Sequence, residues 1–157
     1  MPTYTHVEQT NGRGKSFLID TFRPYRDQIH RMLTLLNGDA RWSYLLARGP
    51  FGKDIDEIGP EWPKSYLQAG GTATRMAVEV RYVEDDGEKR QYAVGRPGGD
   101  YTGEPSETVI IGGNEFFYYP NEVFTAEQAT DVFFGYFQTD RVPDEYPLRR
   151  LDFSEYE

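Results

Sequence analysis

A chain of 157 residues with a formal charge of -9 is long enough for one domain to bury about two thirds of its unfolded surface without covalent staples, and its acidity repels phosphate backbones, which sets nucleic acid aside as a direct ligand. The absence of cysteine excludes disulfides, thiolate nucleophiles and thiolate metal sites together and fits a reducing cytoplasm. Twelve tyrosines and ten phenylalanines argue against disorder and predict a ring-rich core.

The first residues, Met1 to His6, carry neither a basic region nor an apolar run, so no secretory signal is expected, and no stretch approaches about eighteen uninterrupted apolar residues, so no membrane span is expected either. Residues 1–20 mix Thr, Asn and Gly with the short run Phe17-Leu18-Ile19, which reads as an edge strand or a loosely held arm. Asp20 or Thr21 can cap a helix that tolerates Pro24 in its first turn; Ile29, Met32, Leu33 and Leu36 then fall on one face before Asn37-Gly38 stops it. Trp42, Tyr44, Leu45 and Leu46 follow as a strand. Residues 49–72 are crowded with Gly and Pro, which predicts a long irregular surface segment.

From Thr74 to Val83 the side chains alternate, Met76, Val78, Val80 and Tyr82 against Arg75, Glu79 and Arg81, the pattern of a half-buried strand. Asp85-Asp86-Gly87 supplies a turn, and Gln91 to Val94 return as its hairpin partner. After a loop from Gly95 to Pro105, Thr108 to Ile111 and Glu115 to Tyr119 flank Gly112-Gly113-Asn114, a second antiparallel pair. Thr125 and Gln128 stand at capping-box spacing ahead of Ala129, Val132, Phe133, Tyr136 and Phe137, which recur at helical steps. Tyr146-Pro147-Leu148 reads as a final short strand. No repeat and no composition break divides the chain, so residues 1–157 form one α+β domain: a curled antiparallel sheet of about four to six strands with two main helices packed on it.

The chemical signals are sparse. Gly12-Arg-Gly14-Lys15-Ser16 lacks the first glycine of a phosphate loop and the helix that should open after it. His6 and His30 are not at ligand spacing, so no metal is expected, and the serines lie in no nucleophile-elbow pattern. Gly95 to Gly99 could hold an anion on its amides, though turn geometry accounts for it better. Two acidic clusters stand out: Glu84, Asp85, Asp86 and Glu88 at the hairpin tip, and Asp54, Asp56, Glu57 and Glu61 in the irregular segment. Together with Trp62, Tyr101 and Glu104 they combine charge with the aromatic anchors that carry binding energy, and they form the candidate interface for a basic partner.

The stretch from Thr125 to Gln138 followed by Thr139-Asp140-Arg141-Val142-Pro143, with Tyr119-Pro120 upstream and glycine-rich strands before it, resembles the first-numbered immunity-protein family of bacterial polymorphic toxin systems. That family's pattern closes with a capped amphipathic helix, a Phe followed by Thr-Gly, an Arg-Pro pair and a short apolar strand with Trp. Phe137 and Thr139 match it. Asp140 stands where Gly is common, Val142 is inserted between Arg141 and Pro143, and Leu148 or Leu151 takes the place of Trp. The resemblance spans about residues 90–152 and implies direct binding and inhibition of a cognate secreted toxin domain, commonly basic and often acting on nucleic acid, deaminases included. It implies no enzymatic activity, no cofactor and a cytoplasmic location. The alternatives are a small carboxylate-based enzyme or ligand-binding domain, which needs a deep pocket with displaced pKa values, and an acidic nucleic-acid mimic, which binds basic proteins with strong salt dependence.

Overall fold

A computed structural model describes residues 5–49, 55–59 and 62–152. The chain opens with a hairpin, β1 (His6–Thr10) and β2 (Arg13–Phe17). Asn11 and Gly12 between them take positive φ angles of 56° and 68°, the two-residue turn whose twist matches that of paired strands. Of the two readings offered for this segment, edge strand or loosely held arm, its described residues take the edge-strand form. β1 also pairs with β3 (Ser43–Arg48), and Asn11 Oδ1 accepts the Trp42 and Ser43 amides at 2.8 and 3.1 Å, which leaves β2 as the sheet edge.

Helix α1 (Tyr25–Thr34) begins later than its sequence suggests, with Pro24 as N-cap. The residue before a proline is pushed out of the helical region, so a helix starting at Asp20 or Thr21 cannot run through Arg23. Its Ile29 and Leu33 are fully buried, and Leu36 nearly so.

The largest departure from expectation is β4 (Tyr66–Thr72), a central strand between β3 and β5 (Arg75–Val83) inside the segment expected to be irregular. Gly70 and Gly71 disguise it. A Cβ at Gly70 would lie 2.7 Å from Ile111, and one at Gly71 would lie 2.5 Å from the Arg75 carbonyl, so these glycines admit a close neighbour rather than break the strand.

β5 and β6 (Lys89–Val94) form the expected hairpin. β7 (Glu107–Ile111) and β8 (Asn114–Tyr118) pair only with each other, as a separate two-stranded ribbon. β9 (Val123–Phe124) pairs with β5 beyond the point where β6 stops, and α2 (Ala126–Thr139) follows. The capping box is present: the Gln128 amide donates to Thr125 Oγ1 at 3.3 Å, and Gln128 Oε1 accepts the Thr125 amide at 2.9 Å. β10 (Leu148–Leu151) closes on β6; it starts after Tyr146 and Pro147, since proline has no N–H for the ladder and the Pro147 carbonyl is taken by the Gly95 amide at 2.8 Å.

Eight of the ten described strands form one antiparallel sheet, ordered β2-β1-β3-β4-β5-β6-β10 with β9 on β5, larger than the four to six expected. Alternation along β5 assigns its two faces. Met76, Val78, Val80 and Tyr82 pack with Ile29, Leu33, Val132, Phe133 and Tyr136 under the two helices. Ala77 faces the other way, with Ala93, Val109 and Tyr118, beneath the ribbon. The molecule is thus helices, sheet, ribbon in three layers.

Candidate functional site

The predicted acids do not converge on one spot. Glu84, Asp85, Asp86 and Glu88 occupy the tip of the β5–β6 hairpin, where the Glu84 amide donates to the Glu88 carbonyl and the Gly87 amide to the Glu84 carbonyl, both at 2.9 Å. The Glu88 amide and the Arg90 guanidinium, each 2.9 Å from an Asp86 oxygen, hold the Asp86 carboxyl below the usual carboxylate range. Asp86 therefore builds the turn, and the other three carboxylates are left to present charge. Asp56 and Glu57 lie exposed in a 3-10 turn beside β2. Asp54 and Glu61 fall outside the described residues. Trp62 is half-buried; its indole N–H donates to the Arg48 carbonyl at 3.1 Å, and the Lys15 ammonium stands 5.4 Å from its ring centre.

Tyr101 and Glu104 sit at the other end of β6 from the tip, a strand of six residues and so about 17–20 Å long. Here the Tyr101 and Tyr119 rings meet edge-on at 5.1 Å, and the Tyr119 hydroxyl donates to the Gly103 carbonyl at 2.8 Å. Tyr119 directly follows β8, so Tyr101 and Glu104 stand at the foot of the ribbon.

The ribbon itself carries a surface that the sequence pattern concealed. Its register sets Glu107 opposite Tyr118 and Val109 opposite Phe116 on the sheet side, and Thr108 opposite Phe117 and Ile110 opposite Glu115 on the solvent side. Ile110 is 58% exposed and Phe117 54%, with Phe116 at the margin 44% exposed. The apolar runs in these strands do not tell core from surface by themselves; only knowing which face meets the sheet shows that half of each is outside.

Buried ionisable groups are bound up in structural networks. The Glu122 carboxylate, 1% exposed, accepts Arg149 Nε at 2.9 Å, Arg149 Nη2 at 2.8 Å and the Tyr119 amide at 2.9 Å. Glu79 accepts the Tyr118 hydroxyl and the Gln91 amide at 2.5 Å each, and burial followed by the Glu79 charge pushes the Tyr118 phenol up. Two amides of the Gly95–Gly99 loop are spent internally, Gly95 on Pro147 and Arg96 on the Asn121 carbonyl at 2.7 Å, and a Cβ at Gly99 would lie 2.1 Å from Asn121 Cβ. Turn geometry and close packing account for this loop.

A third network joins residues 134 apart in sequence. His6 Nε2–H donates to Asp140 Oδ1 at 2.8 Å, while Thr5 Oγ1 lies 2.8 Å from Nδ1; Arg48 Nε donates to Asp140 Oδ2 at 2.6 Å. Asp140 ends α2 in the left-handed conformation, φ 61°, which glycine adopts without cost. The resembling family's Gly at this position would fit the backbone, and the aspartate adds a carboxylate that clamps β1 and β3 to the helix end. Burial outweighs Asp140 and holds the His6 imidazole below its ordinary value. As pH falls below about 6.5 the unfolded chain takes up a proton that native His6 resists, so stability is lost on acidification through that range. Urea titrations from pH 7 to 5 should show wild type losing more stability than His6→Gln; equal losses would show that His6 does not set this dependence.

At the β1–α1 corner, Glu8 accepts the Tyr44 hydroxyl at 2.8 Å, and burial raises its carboxyl pKa. It lines a cavity of about 570 Å³ with Ile19, Phe22, Met32, Arg23 and Arg31. Among the described residues no group of three or more His, Asp or Glu could hold a metal ion, and no helix is long and apolar enough to cross a membrane. Comparison with protein-family models, curated proteins and solved structures finds no match to the chain.

Proposed function

We propose that this chain is an immunity-type protein that neutralises a cognate secreted bacterial toxin by binding it and covering its active site, the toxin being basic and of the kind that acts on nucleic acid, deaminases included. The observation that carries the reading is the outer face of the β7–β8 ribbon, where Ile110 and Phe117 stand exposed beside Glu115, with Tyr101 and Glu104 at its foot. Leaving large apolar side chains in water forgoes stability, and such residues rimmed by carboxylates suit the anchor-and-rim construction of protein interfaces. A partner of opposite charge would be drawn in by the overall -9 and by the hairpin tip before short-range contacts form.

On this reading the protein performs no chemistry of its own and works in the cytoplasm of the producing cell. Co-expression with the toxin domain encoded beside it should yield a complex that survives purification and lacks toxin activity. A toxin that stays fully active at micromolar concentrations of this protein, about the affinity range of weak complexes, overturns the reading. The ligand-binding alternative has the Glu8 cavity in its favour, a carboxyl with raised pKa in a concave, partly apolar site.

A further inference from the structure

The end of α2, the last residue of β3 and the last residues of β5 border a second cleft, of about 550 Å³, lined among others by Arg48, Trp62, Lys64, Ser65, Tyr82 and Arg141. Its charge runs against that of the chain. Among the described residues that line it, three side-chain cations, Arg48, Lys64 and Arg141, meet one carboxylate, Asp140, a surplus of +2 in the lining of a protein of -9. Asp140 is already engaged by His6 and Arg48, and neither Lys64 nor Arg141 has a carboxylate partner among the described residues.

Favourable interaction with the helix C-terminus accounts for Arg141, which follows the cap, but not for Lys64, which comes from the segment before β4. The walls are flat and aromatic. The Arg141 guanidinium stands 4.3 Å from the Tyr82 ring centre, and the Tyr82 hydroxyl is fixed in place by accepting the Val142 amide at 2.9 Å. Trp62 is held by its bond to the Arg48 carbonyl. Ser65 Oγ accepts the Val83 amide at 3.1 Å and has no acceptor for its O–H among the described residues.

Volume, walls and charge select one ligand chemistry. Small-ligand sites measure about 300–1,000 Å³, and a phosphomonoester carries about -1.5 to -2 at neutral pH, the complement of +2. We propose that this cleft binds a phosphomonoester carried on a planar ring: the phosphate lies among Lys64, Arg141, the two terminal Arg48 nitrogens and the Ser65 hydroxyl, and the ring lies against Trp62. A free nucleotide and a phosphotyrosyl side chain share this chemistry. The site stands or falls independently of toxin inhibition.

The chain has two tryptophans, and the other, Trp42, lies against Gly112, so a Trp42→Phe variant makes Trp62 the sole indole reporter. Its fluorescence is titrated at low ionic strength with adenosine monophosphate, O-phosphotyrosine amide, adenosine and inorganic phosphate. One or both ring-bearing phosphomonoesters should quench saturably, at least about tenfold more tightly than adenosine or phosphate, because each of those lacks half of the contacts. Preference for the nucleotide identifies a free nucleotide as the source, and preference for phosphotyrosine identifies a modified polypeptide. Lys64→Ala, at an exposed position outside the core, should weaken binding about tenfold with unchanged thermal unfolding, and adding Arg141→Ala should weaken it further. The proposal is overturned if no phosphomonoester saturates below about 10 mM, weaker than the usual millimolar floor of specific binding, if phosphate alone binds as well, or if affinity survives both substitutions.

Discussion

Glu122→Ala is expected to lower the unfolding free energy by about 3–5 kcal/mol, the cost of removing one partner from a buried ion pair, and with it the melting temperature by about 6–20 °C for a domain of this size. The carboxylate is 1% exposed and both oxygens are engaged, Oε2 by Arg149 Nε and Oε1 by Arg149 Nη2 and the Tyr119 amide. Arg149 lies in β10 and Glu122 in the turn leading to β9 and α2, so the pair locks the last strand to the start of the second helix. Alanine leaves a guanidinium only 28% exposed and a backbone amide without their acceptor. Glu122→Gln keeps the shape and one acceptor oxygen and should lose less, about 1–2 kcal/mol. Denaturant titration at pH 7 checks both, and a loss below about 1 kcal/mol for alanine would show that water replaces the carboxylate at little cost.

The second large effect is on binding. Ile110→Ala combined with Phe117→Ala should weaken binding of the proposed toxin partner by about 3 kcal/mol, roughly a hundredfold, as removal of two central anchors would, while unfolding stays near wild type because both side chains point to solvent. Neutralising Glu84, Asp85 and Glu88 to glutamine at the distant tip should instead slow association at low salt with a smaller change in affinity, the signature of steering rather than contact. Surface plasmon resonance separates the two. If the ribbon variant binds like wild type and the tip variant does not bind, the docking surface lies at the opposite end of β6.

Much of the architecture is written in short-range chemistry. The capping box at Thr125 and Gln128 is recognisable because both partners lie within one helical turn, and the β5–β6 hairpin because alternation and an Asp-Gly turn are properties of adjacent residues. Where the expectation of an irregular segment over 49–72 gave way to β4, the deciding interaction was remote: Gly70 and Gly71 look like breakers until Ile111 and Arg75 are brought against them. The exposure of Phe117 was not legible at all, because the ribbon's register alone puts it on the solvent side. Even the start of α1, a local error, came from weighing cap residues above the steric restriction that Pro24 imposes on Arg23.

From residues alone came the α+β class, the acidic surface, the ring-rich core and the second helix, because torsional preference, periodicity and net charge need no knowledge of distant partners. The three-layer order, the Glu122–Arg149 lock, the His6–Asp140–Arg48 clamp and the cationic cleft beside it belong to tertiary structure. Each depends on side chains that approach only when the sheet closes, and no pattern within a window of the chain encodes which strand will lie beside which.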